Sequence, residues 1–221
     1  MAEEGNTRRY RKRKRAVREE ETRQRITEVL VELHRTVGPA ATKVTEVAER
    51  AGVSRMTVYN HFPTDADLFR ACSSHWGTRH PFPDPDVWAA VSDPGERLRV
   101  AFVELYAWYR RAEDMWDNVL RDAPVVPAVG DVLDAQWWPF VDRMVEVLAA
   151  GWPDAAGSGD RRAALRLLVD FRTWQVLVGS GLDDARAAAL ASRMAVCDLG
   201  RSRAAPRSTR GPRRGRSGSK G

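Results

Sequence analysis

The chain has 221 residues, 43% of them hydrophobic and 30% charged, which allows one or two domains with a buried core. Its formal charge of +6 is unevenly spread: residues 1–25 carry ten Lys/Arg against five acids, residues 201–221 carry eight against none, and the stretch between carries 18 against 25. Basic ends on an acidic body suit arms that seek a polyanion, while two cysteines (Cys72 and Cys197) are too few for a secreted disulfide scaffold and no apolar window is long enough to span a bilayer. The basic run from Arg8 to Arg15 imitates the start of a signal peptide, but a charged stretch through Arg25 follows where an apolar segment would be required, so a soluble cytoplasmic protein is expected.

Residues 1–18 read as a flexible basic arm. Helical periodicity then dominates from Glu19 to about Leu199, without alternating β-branched runs, so the fold class is all-α. Ile26, Val29, Leu30, Leu33 and Val37 mark one face of a first helix that Gly38 ends. A second runs from about Val44 to Ala51 with Val44, Val47 and Ala48 inward, and Gly52 supplies the turn. A third starts behind Ser54, an N-cap, turns Val58 and Phe62 inward, and stops at Pro63. Thr64 caps a fourth, whose first turn holds Asp65 and Asp67 and which passes through Leu68, Phe69 and Cys72 to about Trp76. Residues 19–76 thus form an N-terminal helix-turn-helix domain, and 77–92, with Gly77, Pro81, Pro83 and Pro85, a connector. Helical stretches at roughly 94–112, 114–122, 129–150, 160–179 and 183–199 make a second domain over 93–200, with a loop from Gly151 to Gly159. The tail 201–221, arginines among Ser, Gly and Pro, cannot build a core and is expected to be disordered.

Two short helices joined by Ala51-Gly52-Val53-Ser54 are the arrangement that lays a second helix in a major groove while the first braces it. Its outward residues, Arg55, Met56, Thr57, Tyr59, Asn60 and His61, mix base-edge readers with phosphate-binding hydroxyl and imidazole groups. Arg55 suits guanine and Asn60 adenine, a good bidentate pair being worth about 1–3 kcal/mol of discrimination. A hairpin of this size also occurs as plain helix packing, and spacing alone does not separate the two.

The stretch from Thr42 to Phe62, including Ala48, Ala51-Gly52-Val53-Ser54, Thr57, Tyr59, His61 and Phe62, resembles the DNA-binding signature of the tetracycline-repressor-like (TetR) family. The resemblance implies phosphate contacts from Thr57, Tyr59 and His61 and base reading by Arg55, Met56 and Asn60. Lys43 stands where the family usually has a hydroxyl that caps the second helix; it can keep a phosphate contact but cannot cap, which leaves that task to Thr42. Asp65 stands where the family commonly has a lysine aimed at the DNA backbone, and its carboxylate would repel phosphate. Arg11 to Arg15 would compensate from the arm, in an adjacent minor groove or along phosphates.

The family further implies a homodimer, here through the last two helices with Leu167, Leu168, Phe171, Trp174 and Val178 facing Ala185, Ala188, Ala189 and Ser192, bound to an inverted-repeat operator as a repressor and released by a small molecule. In the second domain, Phe102, Tyr106, Trp108, Trp116, Trp137, Trp138, Phe171 and Trp174 would line a pocket for an apolar or aromatic effector, or serve simply as core. His34, His61, His75 and His80 show no convincing ligand spacing and no glycine loop follows a strand, so neither an enzyme, a cofactor nor a metal site is expected. Two rivals stay open: a metal-responsive regulator using Cys72, His75 and His80, and an architectural DNA-binding protein held without sequence preference by its basic ends.

Overall fold

The computed structural model of the protein describes residues 2–152 and 158–200; the C-terminal basic tail and the side chain of Cys197 lie outside the described residues. Among them every regular element is helical. The first helix, α1 (Ala2–Thr36), is longer than expected: the basic segment is not a separate flexible arm but the first half of a 35-residue helix. No proline interrupts it, and pairs one turn apart such as Arg15 and Glu19 (2.9 Å) favour helix over coil. From Arg9 to Glu21 it stands exposed, Tyr10 and Val17 included.

Among the described side chains of α1, those from Arg9 to Glu21 are exposed and the second half packs. Ile26, Leu30 and Leu33 are buried against Val47, Ala48 and Ala51 of α2 (Val44–Ala51), Val58 of α3 (Arg55–His61), Phe62, and Leu68 and Cys72 of α4 (Asp65–Arg79). Each buried Ile, Leu or Val among them contributes about 1.5–3 kcal/mol by leaving water. Val37, expected on the same face, is 43% exposed because the helix has ended at Thr36. Helix α4 runs one turn beyond its expected end, and its start carries a full capping box in which Thr64 Oγ1 accepts from Asp67 N and Asp67 Oδ2 accepts from Thr64 N.

The connector holds a short helix, α5 (Pro85–Ala89), capped by Asp84; Asp84-Pro85 repeats the cap-then-proline signal of Asp93-Pro94. It places the fully buried Trp88, whose Nε1 donates to Glu104 at 2.6 Å. Where two helices were expected, α6 (Pro94–Asp122) is one, since no glycine or proline falls between Gly95 and Ala123. It packs along α11 (Asp184–Gly200) and against α1.

Two expected continuous helices are interrupted instead. The stretch 129–150 is α7 (Pro127–Val132), a π-helical turn (Leu133–Trp137) and α8 (Trp138–Ala149). Pro139 explains the wide turn: its ring would strike the carbonyl four residues back, and the chain opens so that Trp138 N reaches Leu133 O. The stretch 160–179 divides into α9 (Ser158–Leu168) and α10 (Phe171–Gly179), where Asp170 caps α10 by accepting from Arg172 N at 2.7 Å. The carbonyls freed at the break accept hydroxyls from α6: Tyr106 donates to Leu168 O at 2.8 Å and Tyr109 to Val169 O at 2.6 Å.

Candidate functional site

Gly52 closes α2 in the left-handed region (φ 67°), letting its own N–H reach Glu49 O and Val53 N reach Ala48 O. The chain thus reverses in two residues. Ser54 then caps α3, accepting from Thr57 N at 3.1 Å, while its hydroxyl lies 2.9 Å from the Thr57 hydroxyl. Lys43 occupies the N-cap of α2 without a side-chain cap bond, and Thr42 does not take over: its hydroxyl is spent on Gly38 O at 2.8 Å, so the expected cap is corrected.

With Val58 and Phe62 buried, the rest of α3 faces out: Arg55, Met56 (68% exposed), Tyr59 and Asn60 are exposed, and Thr57 and His61 are half-buried. The structure therefore brings all the sequence-identified residues of α3 to one surface, with Lys43 exposed at the start of α2. Asp65 is exposed in the first turn of α4, where the helix dipole favours its charge. Two arginines of α1 brace the hairpin from behind: Arg25 Nε donates to Ala51 O at 2.9 Å and Arg23 Nη1 to His61 O at 2.7 Å. These bonds satisfy carbonyls at the C-terminal ends of both short helices, where a cation is also favoured by the dipole. Sequence reasoning overlooked both; a polar pair beside the apolar face of α1 was the available signal.

Behind this unit lies a cavity of about 310 Å³. Its walls come from His34 of α1, from Phe69, Cys72 and Trp76 of α4, from Met115 and Trp116 of α6, and from Leu133 and Trp137 of the π-helical turn, with Phe82 beside them. Of the eight aromatic residues singled out in the sequence, only Trp116 and Trp137 line it. Trp108 is packed 5.6 Å from the Trp116 ring and donates to His80 O at 3.2 Å. Phe102, Tyr106, Phe171 and Trp174 belong to a different part of the core, around Tyr109 and the α9–α10 break. Trp138 is 39% exposed, since consecutive helical residues point in different directions and Trp137 holds the inward one. The missed lining residue with the clearest signal is His34, a polar side chain on the apolar face of α1.

Cys72, His75 and His80 do not converge on a metal site; Cys72 pairs with His34 instead. The His34 Nδ1 lies 3.3 Å from Cys72 Sγ and the His34 ring stacks on Phe69 at 4.8 Å, while the His80 ring stacks on Trp76 at 4.4 Å. Burial pulls the imidazole down to about 4 despite the opposing charge of Asp122, and pushes the Cys72 thiol up to about 12. Both groups are neutral near pH 7. Among the described residues no group of three or more His, Cys, Asp or Glu is placed to hold a metal ion, and no helix is long and apolar enough to cross a membrane.

The C-terminal end of α6 holds the helix-turn-helix unit against the body. Asn118 Nδ2 donates to His34 O (3.2 Å) and Arg35 O (2.8 Å), Arg121 reaches Val37 O (3.2 Å), and Asp122 Oδ2 accepts from Ala40 N (2.9 Å). Burial acts to raise the Asp122 carboxyl, but the bonds from Arg121 and the Ala40 amide outweigh it and hold the group below the usual carboxylate range. Gly38 threads between these groups at φ 92°, where a Cβ would come within 2.2 Å of Arg121 Nη2.

Residues 26–72 match the model of the family described as bacterial regulatory proteins, tetR family. The fold is similar to a TetR-like transcriptional regulator from Rhodococcus sp. RHA1 (21% identity, TM-score 0.58, covering 80% of this chain and 95% of that one). It is likewise similar to a TetR transcription regulator from Haloarcula marismortui (19% identity, TM-score 0.56, covering 81% and 97%). No curated protein matches the sequence. The segment that matches this family model folds as a helix-turn-helix, and about four fifths of the chain shares the helical fold of these structures.

Proposed function

We propose that the protein is a cytoplasmic repressor that binds an inverted-repeat operator as a homodimer and is released by a small molecule entering the cavity. The observation that carries this reading is the outer face of α3: Arg55, Met56 and Asn60 stand free for base edges beside Thr57, Tyr59 and His61 for phosphates. A single seven-residue helix reads few base pairs, and two copies related by a twofold axis give the length of site that specificity needs. Apolar residues left exposed on α9–α11, among them Leu167 (61%), Val176 (67%) and Met194 (47%), supply a surface for the second copy. The exposed basic stretch of α1 from Arg9 to Arg18 adds contacts to DNA phosphates.

The cavity supports the release step because its wall is shared between the DNA-facing unit (His34, Phe69, Cys72, Trp76) and the body (Met115, Trp116, Leu133, Trp137). A ligand there acts by binding more tightly to one placement of α4 and α1 than to the other, which changes the spacing of the two recognition helices. Selection of bound sequences from random duplex DNA with the purified protein tests the reading. An inverted repeat held about 10³-fold or more above bulk DNA is expected. Equal grip on every duplex would replace it with an architectural role.

A further inference from the structure

Met56 breaks the chemistry of the surface on which it sits. Between Val44 and Trp76 every large apolar side chain is buried or half-buried but two, Tyr59 at 37% exposure and Met56 at 68%. Tyr59 ends in a hydroxyl that suits a phosphate, whereas Met56 offers only methylenes and a thioether. Its outward neighbours on α3, namely Arg55, Thr57, Asn60 and His61, can all hydrogen-bond. A lone apolar residue on a plain surface calls for no partner. Met56 stands instead where, if α3 reads DNA as proposed, the base edges lie.

Helix geometry puts Met56 at the centre of the outer face. Val58 is fully buried, and residues two apart on a helix differ by about 200°, so Met56 and Asn60 both project away from the core. They are one turn apart, about 6 Å along the axis, which is the span of about two base-pair steps. Thr57, by contrast, is engaged with Ser54, the two hydroxyls lying 2.9 Å apart. The major groove presents hydrogen-bonding atoms at every base pair and a single kind of apolar group, the C5 methyl of thymine. Asn60 matches the edge of adenine, and only a C5 methyl gives Met56 an apolar partner there. An unbranched thioether side chain with three rotatable bonds adapts readily to so small a group.

We propose that Met56 reads the C5 methyl of one thymine in each half of the operator, about two base pairs from the base read by Asn60. A cytosine methylated at C5 carries the same group at the same place in the groove. Methylation of a cytosine facing Met56 therefore tightens binding, and the grip of the protein responds to the methylation state of its DNA.

The test starts from the operator that selection returns and replaces its thymines one at a time by deoxyuridine, which removes the methyl and keeps every hydrogen-bonding atom. One thymine per half-site is expected to respond, with affinity for the full chain falling about fourfold, the scale of one buried methyl. Met56→Ala is expected to bind thymine and deoxyuridine alike at that position while keeping its preference at the base read by Asn60. Met56→Leu stays apolar and is expected to retain the preference for thymine. With cytosine placed at that position, C5 methylation is expected to raise the affinity of the parent chain by about the same factor and to leave that of Met56→Ala unchanged. If selection returns no inverted repeat, the operator and the role of Met56 fall together. A clear repeat indifferent to every deoxyuridine overturns the role of Met56 alone. An undiminished preference for thymine in Met56→Ala also overturns it, by assigning the methyl to another residue.

Discussion

The Arg23 guanidinium donates to the backbone carbonyl of His61 at 2.7 Å while lying 4.2 Å over the ring of Phe62. One side chain of α1 thus closes the C-terminal end of α3 and packs the residue that seats it. Replacing Arg23 by Ala leaves a helix-end carbonyl without its charged donor and uncovers Phe62, at a cost of about 1.5–3 kcal/mol. The unfolding midpoint is expected to fall accordingly, and operator affinity to fall although Arg23 reads no base. Unchanged affinity in the folded variant would show that α3 needs no brace.

Arg55 and Asn60 are exposed on α3 beside Tyr59. Arg55→Ala and Asn60→Ala should each relax preference at one base position by about 1–3 kcal/mol, whereas Tyr59→Phe should weaken all sequences alike. Binding to a panel of single-base operator variants separates the two patterns. A uniform loss for Arg55→Ala would reassign it to phosphate.

From Arg9 to Arg18, α1 concentrates positive charge on an exposed stretch of helix. Deleting residues 1–17 should weaken DNA binding and flatten the slope of log affinity against log salt by about 0.9 for each phosphate that the segment neutralises. An unaltered slope removes this segment from the interface.

Asn118 is the donor to two carbonyls at the end of α1, and Gly38 passes where a side chain would collide with Arg121 and Asp122. Asn118→Ala leaves buried carbonyls unpaired and should cost about 1–3 kcal/mol. Gly38→Ala should cost more than about 1 kcal/mol, because it adds steric conflict to an unfavourable φ. Urea titration measures both. In the folded variants, ligand should release DNA less completely, since the joint between body and DNA-facing unit is loosened.

The buried imidazole of His34 makes the protein acid-sensitive in a defined window. Its folded value of about 4 lies below the ordinary 6.5, so between these limits the unfolded chain binds a proton that the folded chain refuses. The full contribution is present above pH 6.5 and is lost progressively down to pH 4, by about 3 kcal/mol at most. His34→Phe, which keeps a ring against Phe69, should flatten that part of the stability profile in urea midpoints measured at pH 7.5 and 4.5. Equal slopes in the two proteins would assign the acid sensitivity elsewhere.

The helix-turn-helix was legible from the sequence because its determinants are local: Gly52 for the left-handed turn, Ser54 and Thr64 as caps, Pro63 as a stop, and Val58 and Phe62 spaced to face inward. The outward positions of α3 followed from the same spacing. Continuity and contact were decided in three dimensions. The α9–α10 break delivers the Leu168 and Val169 carbonyls to Tyr106 and Tyr109, more than fifty residues away, and no periodicity within either segment announces that exchange. Pro139 opens a π-helical turn that swings Trp137 into the cavity and leaves Trp138 at the surface. His34, Cys72 and Trp116 meet on one wall because α1, α4 and α6 pack together, a result of long-range burial and not of any local pattern.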